Sequence, residues 1–307
     1  MIKFEDKSPL MANGYIFLAT FIIAGGIVAC KEIASLMHPL PLTLLRFLIA
    51  ALSLLPIILC KASRRQQLRR AMPRSLVISF FYSMFFVFMF TALQTTTMLH
   101  VGSISTLSPL LTAFFSWIIF RTSIGWKKLS VYILAMLGTL IVVFDGSLQT
   151  LLHFSVNEGD LFFFMGTVLI SIYYIVLKVL NGGVEPIVLA FCTVIGGSIW
   201  ISLGMLIMHV PFVFSGLKTT SAIASLFYLA IASTSLTAYL MQKGSVIISP
   251  NTTSAYQYLS PVLVSVLGVL ILGVMPSLTG WIGSILSVTA TILLLRMSRE
   301  NNEIVEK

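Results

Sequence analysis

Residues 107–143 read LSPLLTAFFSWIIFRTSIGWKKLSVYILAMLGTLIVV, and residues 259–295 read LSPVLVSVLGVLILGVMPSLTGWIGSILSVTATILLL. Both stretches run Leu-Ser-Pro, an apolar segment, a short loop, Gly-Trp and a second apolar segment. Ser108-Pro109 and Ser260-Pro261 stand 152 positions apart, and Gly125-Trp126 and Gly280-Trp281 stand 155 apart. One loop longer by three residues accounts for the difference. Chance identities are frequent in Leu- and Ile-rich text, so the order of features carries more weight than the matches. It predicts a duplicated membrane protein.

Composition agrees. The 307 residues are 58% hydrophobic and 9% charged, against about a quarter charged in soluble domains. The charges cluster between apolar runs of about 20 residues, the length that spans hydrocarbon as a helix. Ten such spans are predicted, at about 12–34, 41–60, 75–97, 102–120, 127–144, 160–179, 186–208, 222–242, 250–272 and 278–296. Ile27-Val28-Ala29-Cys30 resembles a lipoprotein cleavage site. Nine further spans and a partner segment in the second half favour reading residues 12–34 as a span. Cys30, Cys60 and Cys192 fall in or at the ends of apolar runs, so no disulfide framework, metal site or cofactor is expected.

The net charge of +9 is explained by the membrane rather than by nucleic acid. With a cytoplasmic N-terminus, sixteen of the nineteen Lys and Arg residues fall in inside segments, including the cluster Lys61, Arg64, Arg65, Arg69, Arg70 and Arg74. Lys31 and Lys218 fall outside, and Arg46 lies within the second span. The positive-inside rule therefore places both termini in the cytoplasm, in the inner (plasma) membrane. Residues 61–74 read as a solvated basic loop beside the lipid bilayer.

Two copies of five spans enter the membrane in opposite orientations, because five is odd. The predicted fold is therefore an all-α membrane protein of ten transmembrane helices in two inverted repeats, residues 1–150 and 151–307. The first two spans of each half match with an offset of 147. Lys31 pairs with Lys178, Pro39 with Pro186, Arg46 with Thr193 and Ala50 with Gly197.

These features resemble an EamA-type member of the drug/metabolite transporter superfamily. The resemblance covers nearly the whole chain. It rests on the five-plus-five layout, Pro39-Leu40-Pro41-Leu42-Thr43-Leu44-Leu45-Arg46-Phe47, Ala92-Leu93-Gln94 closing span three, and the two Ser-Pro helices. The chain departs from the family where spans four and nine end. Members commonly carry glutamate there, whereas this chain has Phe120-Arg121 and Gly273-Val274. The resemblance implies transport of a small metabolite, often efflux of amino acids or their relatives. Multidrug-type or nucleoside-like substrates, such as a relative of S-adenosylmethionine, stay open as alternatives.

Within the spans, polar residues recur at helical spacing. Ser105, Ser108, Thr112 and Ser116 share one face of span four, and Ser254, Gln257, Pro261 and Ser265 share one face of span nine. A proline in a helix leaves the carbonyl four residues earlier without its donor. Pro109 is thus expected to free Ser105, and Pro261 to free Gln257, at two matched kinks. Thr167, Ser171, Tyr174 and Lys178 form a stripe on span six. Ser233 and Thr237 of span eight, with Tyr82 and Gln94 of span three, extend the polar set. Small hydroxyl residues are also the usual contacts between transmembrane helices. The candidate substrate-binding residues are Arg46, Tyr82, Gln94, Ser105, Ser108, Thr112, Tyr174, Thr237, Ser254, Gln257 and Ser260. Arg46 has three competing roles: snorkelling to the interface, pairing with Glu32, or anchoring a substrate anion.

No acidic residue sits at mid-span, so the sequence offers no proton- or sodium-coupling carboxylate, and uniport or exchange is expected. The histidines fall at the outer side. An enzyme would need nucleophile and base within reach of each other, and HExxH, GxSxG and Cys–His spacings are absent from the sequence. A channel would need a polar or charged ring, usually built by several subunits. Assembly as a homodimer is left open by the sequence.

Overall fold

In a computed structural model the described residues are 8–121, 125–153, 156–211, 213, 217–272 and 275–305. At 27, 28, 31, 32, 98, 99, 271, 272 and 298–305 the backbone alone is described. Gly273-Val274 and the side chain of Glu32 therefore lie outside the described residues.

The helices are α1 (Pro9–Ala34), α2 (Pro39–Leu59), α3 (Ala62–Thr95), α4 (Met98–Ser105), α5 (Ser108–Phe120), α6 (Trp126–Val143) and a short α7 (Leu148–Leu152). The second half follows with α8 (Glu158–Leu180), α9 (Pro186–Ile207), α10 (Thr220–Phe227), α11 (Thr237–Ile247), α12 (Pro250–Ala255), α13 (Ser260–Leu272) and α14 (Leu278–Val305). A π-helical segment, Tyr228–Leu236, joins α10 to α11, and a 3-10 turn, Tyr256–Leu259, joins α12 to α13. Among the described residues ten helical units are long and apolar enough to cross a membrane, with α4–α5, α10–α11 and α12–α13 each counting as one. The protein is an all-α, multi-pass integral membrane protein of two inverted five-helix repeats.

Local chemistry fixes the starts of these helices. Proline occupies the first turn of α1, α2, α5, α9 and α12, where a missing N–H costs nothing. Helix α8 opens with a reciprocal capping box between Asn157 and Asp160. The basic stretch 61–74 is not a loop. It forms the first turns of α3, because Arg, Gln, Leu and Ala are good helix formers, and Arg64 Nε donates to Glu185 Oε2 at 2.8 Å.

Packing repeats the inversion. Helix α3 lies on α8 as α11 lies on α1, and α5 lies on α8 as α13 lies on α1. The matched pairs α2 with α9 and α6 with α14 also pack on each other. Small residues permit this. A Cβ at Gly138 of α6 would stand 2.6 Å from the Ser287 backbone nitrogen of α14, and one at Gly197 of α9 would stand 2.5 Å from the Phe47 ring of α2.

The fourth span of each half is discontinuous at matching places. The connections into these spans are extended at Thr96 and at Ile248, and within the spans α5 and α13 both restart on Ser-Pro. Each of these positions is offset by 152. One expectation needs correction. The Gln257 carbonyl is not left free by Pro261, because the chain tightens into a 3-10 turn there and Ser260 N–H donates to it. The Tyr258 carbonyl is the one served from outside its own helix: Ser287 Oγ donates at 3.0 Å and Thr139 Oγ1 lies at 3.3 Å.

Candidate substrate site

Arg46 is buried at 1% exposure, deep between α2 and the π-helical segment of span eight. Its Nε donates to Thr234 Oγ1 at 2.5 Å and to the Leu229 carbonyl at 3.2 Å. Nη2 donates to the Ser233 carbonyl at 3.1 Å. The guanidinium lies over the Phe86 ring of α3, 4.2 Å from its centroid, with Cys30 of α1 beside it. These contacts replace the snorkelling expectation: the side chain turns into the protein and bridges the two repeats.

The π-helix explains how span eight can serve it. A wider turn exposes carbonyls that an α-helix would consume, and Thr234 Oγ1 donates back five residues to the Leu229 carbonyl at 2.8 Å. Hydrogen bonds from a charged donor contribute about 1.5–3 kcal/mol each. An ion inside a protein nevertheless costs several kcal/mol when it has no opposite charge. Among the described residues no carboxylate forms an ion pair with Arg46. Its Nη1 is buried without a hydrogen-bond partner.

A run of aromatic rings leads away from the guanidinium. Phe86 meets Tyr82 edge-on at 5.0 Å, Tyr82 meets Tyr173 of α8 at 4.9 Å, and Tyr173 meets Tyr174 at 5.6 Å. Gln257 Nε2, in the 3-10 turn of span nine, donates to the Tyr174 hydroxyl at 2.7 Å. Thr237 of α11 stands beside the Tyr82 hydroxyl. Arg46, Tyr82, Tyr174, Thr237 and Gln257 thus converge from five spans. Gln257 is half-buried, and the other four are buried.

The remaining candidates divide by what their polar atoms do. Thr112 Oγ1 donates to the Ser108 carbonyl at 2.8 Å, Ser254 Oγ to Asn251 at 3.1 Å and Ser105 Oγ to Gly102 at 2.7 Å, all within their own helices. Ser108 Oγ meets Ser171 Oγ of α8 at 3.2 Å, a helix-to-helix contact. Ser260 is half-buried, and Gln94 is exposed at the end of α3.

The described geometry adds residues that spacing did not single out. Phe86, Tyr173 and Thr234 join the site through packing between distant segments. Asp160, at the expected outer end of α8, is 2% exposed and accepts from Thr96 Oγ1 at 2.5 Å, while His100 Nδ1 lies 2.7 Å from its other oxygen. At the position offset by 147, in α1, stands Asn13, whose Oδ1 accepts from Tyr256 of span nine at 2.9 Å. The repeat thus ties the same pair of spans at both ends, through Asp160 at one and Asn13 at the other.

The sequence profile of the EamA-like transporter family matches residues 10–144 and 157–296. This chain belongs to that family. The uncharacterized transporter YyaM of Bacillus subtilis (strain 168) is 30% identical over 169 residues. That match covers 52% of this chain and 54% of YyaM. One crystal structure superposes with a TM-score of 0.76 over 95% of this EamA chain and 99% of its own, at 19% identity, which shows a shared fold. The matched family is one of transporters, and ten helices among the described residues are long and apolar enough to cross a membrane.

Proposed function

We propose that this protein carries a small polar organic metabolite, of amino-acid size or related to one, by alternating access in efflux or exchange. The observation that carries this reading is the convergence of Tyr82, Tyr174 and Gln257 where the broken ninth span meets spans three and six. A discontinuous helix at the interface of inverted repeats is where secondary transporters bind their cargo. Phenol hydroxyls, a carboxamide and ring faces supply hydrogen bonds and apolar contact in the proportion a small polar ligand uses. By the charge asymmetry, both termini face the cytoplasm of the inner membrane.

The test is counterflow in proteoliposomes preloaded with a panel of amino acids and nucleoside-like metabolites. Saturable accumulation of one labelled member, lost or shifted to at least tenfold higher KM in Gln257→Leu, supports the reading. Linear, non-saturating flux would point to a channel. Saturable counterflow with unchanged KM in Gln257→Leu would remove Gln257 from the site.

A further inference from the structure

The unpartnered edge of Arg46 has a chemistry of its own. A guanidinium offers five N–H donors in a fixed plane. In this protein Nε and Nη2 are docked on Thr234, Leu229 and Ser233, so the plane cannot turn without breaking that set. Among the described residues, neither N–H group of Nη1 has an acceptor, although the residue is 1% exposed. Phe86 covers one face of the ion, and its ring continues into Tyr82 and Tyr173.

We infer that Nη1 of Arg46 is the receptor for a substrate carboxylate, and that the substrate body lies along the rings of Phe86, Tyr82 and Tyr173. A single pre-oriented donor edge carrying one positive charge matches one carboxylate, which fills the missing hydrogen bonds and neutralises the buried ion together. The inference rests on the substrate seat described above and names the class of molecule that takes it: organic carboxylates. A phosphate dianion would bring a second negative charge that the single guanidinium leaves buried and unbalanced. Uncharged hydrogen-bonding ligands would leave the ion unbalanced.

The geometry also says how binding is conveyed. Arg46 is held by carbonyls that are available only while span eight keeps its π turn. A carboxylate drawing the guanidinium toward Nη1 therefore competes with the carbonyls of Leu229 and Ser233. Occupancy of the site is linked in this way to the conformation of span eight, across the boundary between the repeats.

The experiment uses the purified full chain in detergent, with benzoate, 4-hydroxybenzoate and hexanoate each paired with its primary amide. Thermal unfolding is followed at millimolar ligand. At least one carboxylate is expected to raise Tm by several degrees while its amide does not, since only the folded protein binds it. The shift should vanish in Arg46→Gln and be reduced in Arg46→Lys, which keeps the charge but not the fork. Loss of Arg46 also unties α2 from span eight, so a second measurement uses the unaltered protein. Counterflow of the stabilising carboxylate by the unaltered protein, in potassium-loaded proteoliposomes with valinomycin, should be saturable. It should also be inhibited competitively by the other carboxylates and not by their amides.

The inference is overturned if no carboxylate raises Tm, if an amide does so as far as its acid, or if Arg46→Gln folds and keeps the full shift. Amides that bind as well as acids while counterflow stays saturable would overturn the carboxylate assignment alone. An absence of saturable counterflow for every compound would instead sink the transport reading on which it rests.

Discussion

The Tyr258 carbonyl offers the sharpest stability test, because two hydroxyls from different helices stand over one acceptor. Its 3-10 partner position is Pro261, which has no N–H to give. Ser287 Oγ of α14 donates to it at 3.0 Å, and Thr139 Oγ1 of α6 lies at 3.3 Å. Each hydroxyl has one proton. That of Thr139 is contested by the Ala135 carbonyl at 2.8 Å, and the two hydroxyls are themselves 2.9 Å apart. Ser287 is therefore the principal donor and Thr139 the reserve. Thr139→Val should cost about 0.5 kcal/mol, the mean for interhelical hydrogen bonds in membrane proteins. Ser287→Ala should cost about 0.5–1 kcal/mol, since Thr139 can turn to the vacated carbonyl. With both removed, the reserve is gone, and the double variant should lose about 2–3 kcal/mol, the penalty of an unsatisfied buried acceptor. The double-mutant cycle should then show a coupling of about 1 kcal/mol. Unfolding in mixed micelles titrated with a denaturing detergent measures all four proteins under one condition. Costs that add to within about 0.3 kcal/mol would refute the reserve-donor reasoning.

Other consequences are more direct. Gly138→Ala places a methyl group against the Ser287 backbone, 2.6 Å from its nitrogen, so α6 and α14 must separate and stability should fall by about 1–3 kcal/mol in the same titration. Tyr174→Phe removes the acceptor of Gln257 Nε2 and should raise KM of the transported metabolite by roughly 3–10-fold, the equivalent of one hydrogen bond, with Tm changed little. The Arg64–Glu185 pair is part-exposed, so Arg64→Ala should cost under about 1 kcal/mol, and less in high salt. Single cysteines at Arg65 and Gln149, after replacement of Cys30, Cys60 and Cys192, should react with an impermeant thiol reagent from opposite sides of the membrane. Labelling of both from outside would overturn the charge-based orientation.

Much of the architecture is legible in the sequence because the lipid environment leaves few choices. In hydrocarbon every backbone N–H and C=O must be satisfied within its own segment, so apolar length alone specifies a spanning helix. The duplication announced the inversion, since an odd number of spans per copy leaves no other arrangement. Pro109 and Pro261 announce a kink inside each span, and the structure answers with restarts of α5 and α13 on Ser-Pro, where the missing N–H of proline falls in a first turn.

Helical spacing could not say which polar face would meet which. It grouped Ser105, Ser108, Thr112 and Ser254 with Gln257, yet those hydroxyls bond to nearby backbone or to a neighbouring helix. Ser and Thr satisfy themselves locally whenever nothing better is near. A glutamine amide is too long for that and must find a partner from another span, as Gln257 finds Tyr174. The basic segment 61–74 looked like a loop because charge was read as solvent exposure, whereas Arg and Gln also extend a helix beyond the bilayer.

Arg46 shows the same division. Its depth in span two was plain from the sequence, and the cost of a charge there demanded an answer. The answer depended on a π-helical turn some 185 residues later, where the chain opens its own hydrogen-bond ladder to present the carbonyls of Leu229 and Ser233. Residue order fixes which helices form, because backbone satisfaction is a local requirement. Only the packing of ten of them decided where a buried charge finds its acceptors, and left one nitrogen of it, Nη1, without any among the described residues.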